Sequence, residues 1–119
     1  MSEFVRILKD DEDVAVILYI ENDEIAAIGE QLSQINENAY MNGYNWEALI
    51  NCYLEKNRPE LLGAFESDCE AGMYAVYCEN NDEGNRNAES LASLIISLIE
   101  DKNKLFDFVR EYGDEIEWE

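Results

Sequence analysis

Residues 14–35 read VAVILYIENDEIAAIGEQLSQI, and within them the spacing of apolar side chains changes once. Val14 to Ile20 is an unbroken apolar run, the pattern of a strand buried on both faces. After Glu21 the period lengthens. Ile25, Ile28, Leu32 and Ile35 fall at i, i+3, i+7 and i+10, the stripe of an amphipathic helix with Asn22 or Asp23 as its cap.

Upstream, Ser2 to Lys9 alternates with period two, placing Phe4, Arg6 and Leu8 on one face and Val5 and Ile7 on the other. The acidic run Asp10–Asp13 is turn-like, so the two segments form a hairpin with the second strand central. Downstream, Met41-Asn42-Gly43-Tyr44 reads as a loop. Asn45 then caps a second helix whose core face is Trp46, Leu49, Ile50, Tyr53 and Leu54. Pro59 begins a short helix running through Phe65. Met73 to Cys78, rich in aromatic and β-branched residues, reads as a strand, and Glu79 to Gly84 as a polar loop. Leu91, Leu94, Ile95, Leu98 and Ile99 mark a third long helix. Leu105, Phe108, Val109 and Tyr112 mark a fourth, closed by Gly113 at the C-cap. The tail from Asp114 is either an edge strand or loose.

The order ββααβαα, without βαβ regularity, internal repeat or linker, predicts an α+β fold. It is an antiparallel sheet of three to four strands covered by about four helices. At 119 residues the chain makes one domain, 1–119, with a radius of gyration of roughly 13–14 Å.

Charge is the compositional outlier: 28 acids against 8 bases, formally −20. Within a body this small the acids repel one another and oppose folding. Such a charge serves either solubility alone or the steering of a basic partner. The placement of the bases favours steering. From Asp10 to Glu55 there are eleven acids and no Lys or Arg, and from Pro59 to Asn85 seven acids and again no base. A surface tuned only for solubility mixes its signs. Nucleic acid and anionic membrane, both polyanions, are poor partners.

Cys52, Cys69 and Cys78 lack CxxC spacing, accompany no signal peptide, and read as structural thiols in a reducing cytoplasm. There is no histidine, which removes the histidine-based nucleophile systems and metal sites. Neither phosphate-binding glycine motif is present. Glu79 to Gly84 starts like a calcium loop but fails at its twelfth position, which is Ser90. Asp68 and Glu70 resemble an acid–base pair, yet 28 acids produce such a pair by chance. No catalytic residue, metal or cofactor is expected.

The acids instead suggest binding surfaces. Asp23, Glu30 and Glu37 are spaced by seven along the solvent side of the first helix, about 10.5 Å apart, and are either an ordinary solvated face or a negative ridge. Glu66, Asp68 and Glu70 alternate, so in an extended segment all three share a face. Tyr44 is placed in the loop as an exposed aromatic anchor, whereas Trp46 belongs to the core.

The stretches Asn42-Gly43-Tyr44-Asn45-Trp46-Glu47, Asp68-Cys69-Glu70-Ala71-Gly72-Met73-Tyr74 and Gly113-Asp114-Glu115-Ile116-Glu117-Trp118 resemble the immunity protein 51 family over residues 40–118. The resemblance implies a bacterial, cytoplasmic antidote encoded beside a polymorphic or contact-dependent toxin. Such a protein binds and neutralises its cognate toxin domain, often a basic nuclease. The alternative is a DNA-mimic or regulatory protein that occupies a nucleic-acid-binding host protein.

Overall fold

The Asp10 carboxylate accepts the backbone N–H groups of Glu12 and Asp13, at 2.8 and 2.7 Å. These bonds hold its pKa below the ordinary value and turn the chain between strands β1 (Val5–Lys9) and β2 (Asp13–Tyr19). The computed structural model describes residues 4–118, so the expected start of the first strand at Ser2 lies outside them. Helices α1 (Asp23–Ile35), α2 (Gly43–Asn57) and α3 (Pro59–Leu62) follow the hairpin. Then come β3 (Glu66–Ser67), β4 (Met73–Glu79), α4 (Asp82–Glu100) and α5 (Lys102–Tyr112).

The strands form one antiparallel sheet in the order β1-β2-β4-β3, with β2 central as the hairpin reading requires. The α+β class and the four-stranded sheet agree with expectation. The strand β3, two residues long, was too short to leave a periodic signal.

Asparagine caps decide where three helices start. Asn22 caps α1 by accepting from Glu24. Asn42, not Asn45, caps α2 by accepting the Asn45 N–H at 2.9 Å. Asn45 lies inside the first turn, fully buried, so Gly43 and Tyr44 are helical and not loop. Asn81 caps α4 by accepting from Gly84, which turns the second half of the expected 79–84 loop into the first turn of a helix. An Asx residue stabilises a turn and a helix start through the same side-chain bond, so the sequence alone does not distinguish them.

The short helix α3 ends at Leu62 and does not reach Phe65, because Ala64 N–H bonds back to Leu61 and the chain turns toward β3. Gly113 is the C-cap of α5 but keeps right-handed torsions, φ −55 and ψ −33. A Cβ there would lie 2.8 Å from Asn36 Nδ2, so crowding and not a left-handed turn accounts for the glycine. The tail is neither edge strand nor loose. Ile116 is buried, the Trp118 indole N–H donates to Gly113 O at 2.9 Å, and Glu115 pairs with Lys56 at 3.0 Å.

Pairing register separates the two faces of the sheet. Val5, Val14, Val16, Leu18, Tyr74 and Val76 share one face, and all belong to the core with Trp46 and the apolar stripes of α1, α2, α4 and α5. Packed on that face, α4 lies across β1, β2 and β4, while α2 rests on β4. The opposite face carries Arg6, Leu8, Ala15, Ile17, Ala75 and Tyr77, none of which belongs to the core cluster. Ile17 and Ala75 are nonetheless buried. Thus β2 is central but is not buried between two layers: Ala15 and Tyr19 stay partly exposed. Phe4, expected beside Arg6 and Leu8, turns into the core instead, because it precedes the strand and escapes its alternation. The radius of gyration is 13.5 Å.

Candidate functional site

The segment 66–70 becomes extended because it adds an edge to β4. Glu66 pairs opposite Tyr77, Asp68 N–H donates to Ala75 O at 2.9 Å, and Glu70 bridges Met73. One register relates all three pairs, so Glu66, Asp68 and Glu70 lie on the open face of the sheet. All three are exposed. At about 3.3 Å per residue, alternate acids stand roughly 6.6 Å apart.

The acids also gather around Tyr77. The Glu66 carboxylate beside it is the main cause that raises the tyrosine pKa, and Asp13 and Asp68 push it further up. Between the acids, Cys69 turns inward. Its thiol is held protonated chiefly by burial, then by the neighbouring charge of Glu47. Cys52 and Cys78 are raised by the same cause, which is the opposite of what a nucleophilic thiolate requires.

The turn after Glu70 is pinned by α2. Gly43 N–H donates to Ala71 O at 2.8 Å, and a Cβ on Gly43 would fall 1.8 Å from Glu70 O and 2.4 Å from Met73 O. The helix therefore starts in backbone contact with the acidic segment, and Tyr44, the next residue, is 38% exposed. Tyr44 is exposed as expected, but it stands on the helix and not in a loop.

The α1 ridge is interrupted. Asp23 and Glu30 are exposed on the helix, but α1 stops at Ile35. Asn36 takes the C-cap and accepts the Asn38 N–H, so Glu37 is exposed in a turn, out of the helical line.

A groove of about 340 Å³ was missed by sequence reading. Its walls include Tyr44, Glu47 and Glu55 of α2, Leu62, and Glu115 and Glu117 of the tail. The eight-residue spacing of Glu47 and Glu55 places them on one helix face and was legible. The approach of Glu115 and Glu117 was not, since it depends on the tail folding back. Among the described residues, no three Asp, Glu or Cys side chains converge as metal ligands. Asp82 and Gly84 are already helical, which removes the calcium-loop geometry. No helix among the described residues is long and apolar enough to cross a membrane.

A family model described as Immunity protein 51 matches residues 5–114. The match takes in the β1–β2 hairpin and α1, which lie ahead of the likeness at 40–118, and leaves out the tail from Glu115. No curated protein and no solved structure matches the chain.

Proposed function

Because the chain belongs to the immunity protein 51 family, we propose that it binds and neutralises a cognate bacterial toxin domain, a basic nuclease, through complementarity to its acidic surface. It acts in the cytoplasm of the cell that makes the toxin, and it does so by occupation and not by catalysis. A nuclease attracts polyanions and so carries a basic cleft, which an acidic protein can fill. Charge complementarity raises association rates by about 10–10³-fold, an advantage for an antidote that must act first.

The observation that supports this most is the seating of Glu66, Asp68 and Glu70. A ladder fixes them on one side, and the α2 start, through Gly43, holds the turn that follows on the other. Acids held rigidly lose little side-chain entropy on binding. They form the centre of the contact, Tyr44 flanks them, and Asp23, Glu30 and Glu37 lie at its rim.

Co-expression with the product of the adjacent toxin gene tests the function. The expected result is a stoichiometric complex, rescue of growth, and an association rate that falls steeply with salt. Growth arrest despite co-expression, or an association rate indifferent to salt, would refute it. Recovery of host nucleic-acid-binding proteins in place of the toxin would indicate mimicry of DNA.

A further inference from the structure

Taking that function as its premise, we infer that the open face of the sheet is the docking surface, in which an apolar strip at Leu8, Ala15 and Tyr77 adjoins the acidic centre at Glu66 and Asp68. The register runs Leu8–Ala15–Tyr77–Glu66 straight across four strands, and Arg6–Ile17–Ala75 beside it, with Asp68 bonded to Ala75. The helices α2 and α4 join the core formed on the other side of the sheet. Leu8 is 48% exposed, and the alanines on either row leave the face shallow. An apolar strip left in water and bordered by charge is the anatomy of an interface before its partner arrives.

The plate is too small for a whole interface. Seven residues at about 3.3 Å by four strands about 4.8 Å apart give roughly 20 × 15 Å. A standard interface takes about 800 Å² from each partner, so the bordering acids must be part of it. Charge selects the occupant. A second copy of the chain would bring −20 against −20, whereas a protein with an apolar patch edged by Lys and Arg meets Glu66, Asp68 and Asp13 favourably. Arg6, at the other side of the plate, fixes the direction in which that partner lies.

Ala15→Glu separates this from simple attraction between charges, because it adds an acid to an acidic face while filling the plate. Leu8→Ser removes the exposed apolar group without adding bulk. Ser93→Glu, exposed on α4, is the control. Affinity for the purified toxin domain encoded by the adjacent gene is measured for each, with thermal midpoints to confirm folding. Tenfold or greater weakening by both plate variants, with the control within twofold of wild type, is the expected result. Equal binding by all three would overturn the sheet-face assignment and leave the toxin-binding function standing. An Ala15→Glu variant that binds faster and no weaker would also overturn it. Failure of the wild type to bind would remove both. Self-association of the wild type in light scattering, abolished by Ala15→Glu, would give the face to a second copy instead.

Discussion

The side-chain oxygen of Asn45 accepts the backbone N–H of Met41 at 2.9 Å, in a fully buried position. Met41 is the one non-glycine residue with positive φ, 56°, among the described residues. The bond thus holds a backbone conformation that an unbranched L-residue adopts at some cost. Directly after it the chain enters α2, and from there Gly43 meets the Glu70–Met73 turn. A local polar contact therefore controls how Tyr44 and the acidic segment are presented.

Asn45→Ala should lower stability by about 1–3 kcal/mol, the usual cost of leaving a buried donor unsatisfied. Urea unfolding followed by circular dichroism checks this. A variant as stable as wild type would mean that the Met41 turn is held by packing alone.

Two glycine substitutions should have opposite signs. Gly43→Ala forces a Cβ onto the carbonyls of Glu70 and Met73, which are backbone and cannot swing away. It should cost about 3 kcal/mol or more, at the upper end of overpacking, and weaken partner binding. Gly63→Ala meets nothing within 4 Å and has φ −96. It should stabilise by about 0.4–1 kcal/mol through the unfolded chain. Paired denaturation curves provide the comparison.

Added sodium chloride should raise the thermal midpoint. Screening shortens the reach of repulsion among the acids from about 10 Å at 0.1 M to about 3 Å at 1 M, and the folded state suffers more from that repulsion than the expanded one. A midpoint that does not move between these concentrations would show that the excess charge is spread widely enough to be harmless.

Removal of the Tyr77 hydroxyl should matter below, but not above, its titration. Its folded pKa lies above the ordinary 10.0, chiefly through Glu66, so the neutral hydroxyl stabilises the fold below pH 10 and that contribution is lost as pH rises through the raised value. The difference in urea midpoint between wild type and Tyr77→Phe should be constant from neutral pH to about pH 9 and shrink beyond pH 10.

Binding kinetics should divide the acids. Asp68→Asn and Glu70→Gln should speed dissociation from the toxin by about 30-fold or more, since cutting a buried interfacial charge pair costs about 2–5 kcal/mol. Asp23→Asn and Glu30→Gln should slow association and leave dissociation nearly unchanged. The reverse pattern would exchange the centre and rim. Glu37→Gln is informative on its own, because the helix stops before it and its carboxylate is out of line with the other two.

Much of this protein was decided locally and is legible in residue order. The hairpin, the central strand and the apolar stripes of the long helices follow from periods of two and 3.6, which report the two faces of each element. Alternation implied a common side for Glu66, Asp68 and Glu70 only if their segment is extended, and the absence of bases over long stretches showed a one-signed field. Periodicity says which side chains share a face, but not what lies opposite it. Val14–Ile20 reads as doubly buried because Ala15, Ile17 and Tyr19 are apolar, yet that face lies outside the core cluster, and Ala15 and Tyr19 stay partly exposed. Whether an asparagine opens a loop or a helix at 42, 45 and 81 depended on which backbone N–H lay within reach. The two-residue strand β3, the groove under the tail and the contact of Gly43 with Glu70 come from pairings distant in sequence. Their energies depend on packing that no local pattern encodes, so tertiary structure alone decided which of the 28 acids stand together.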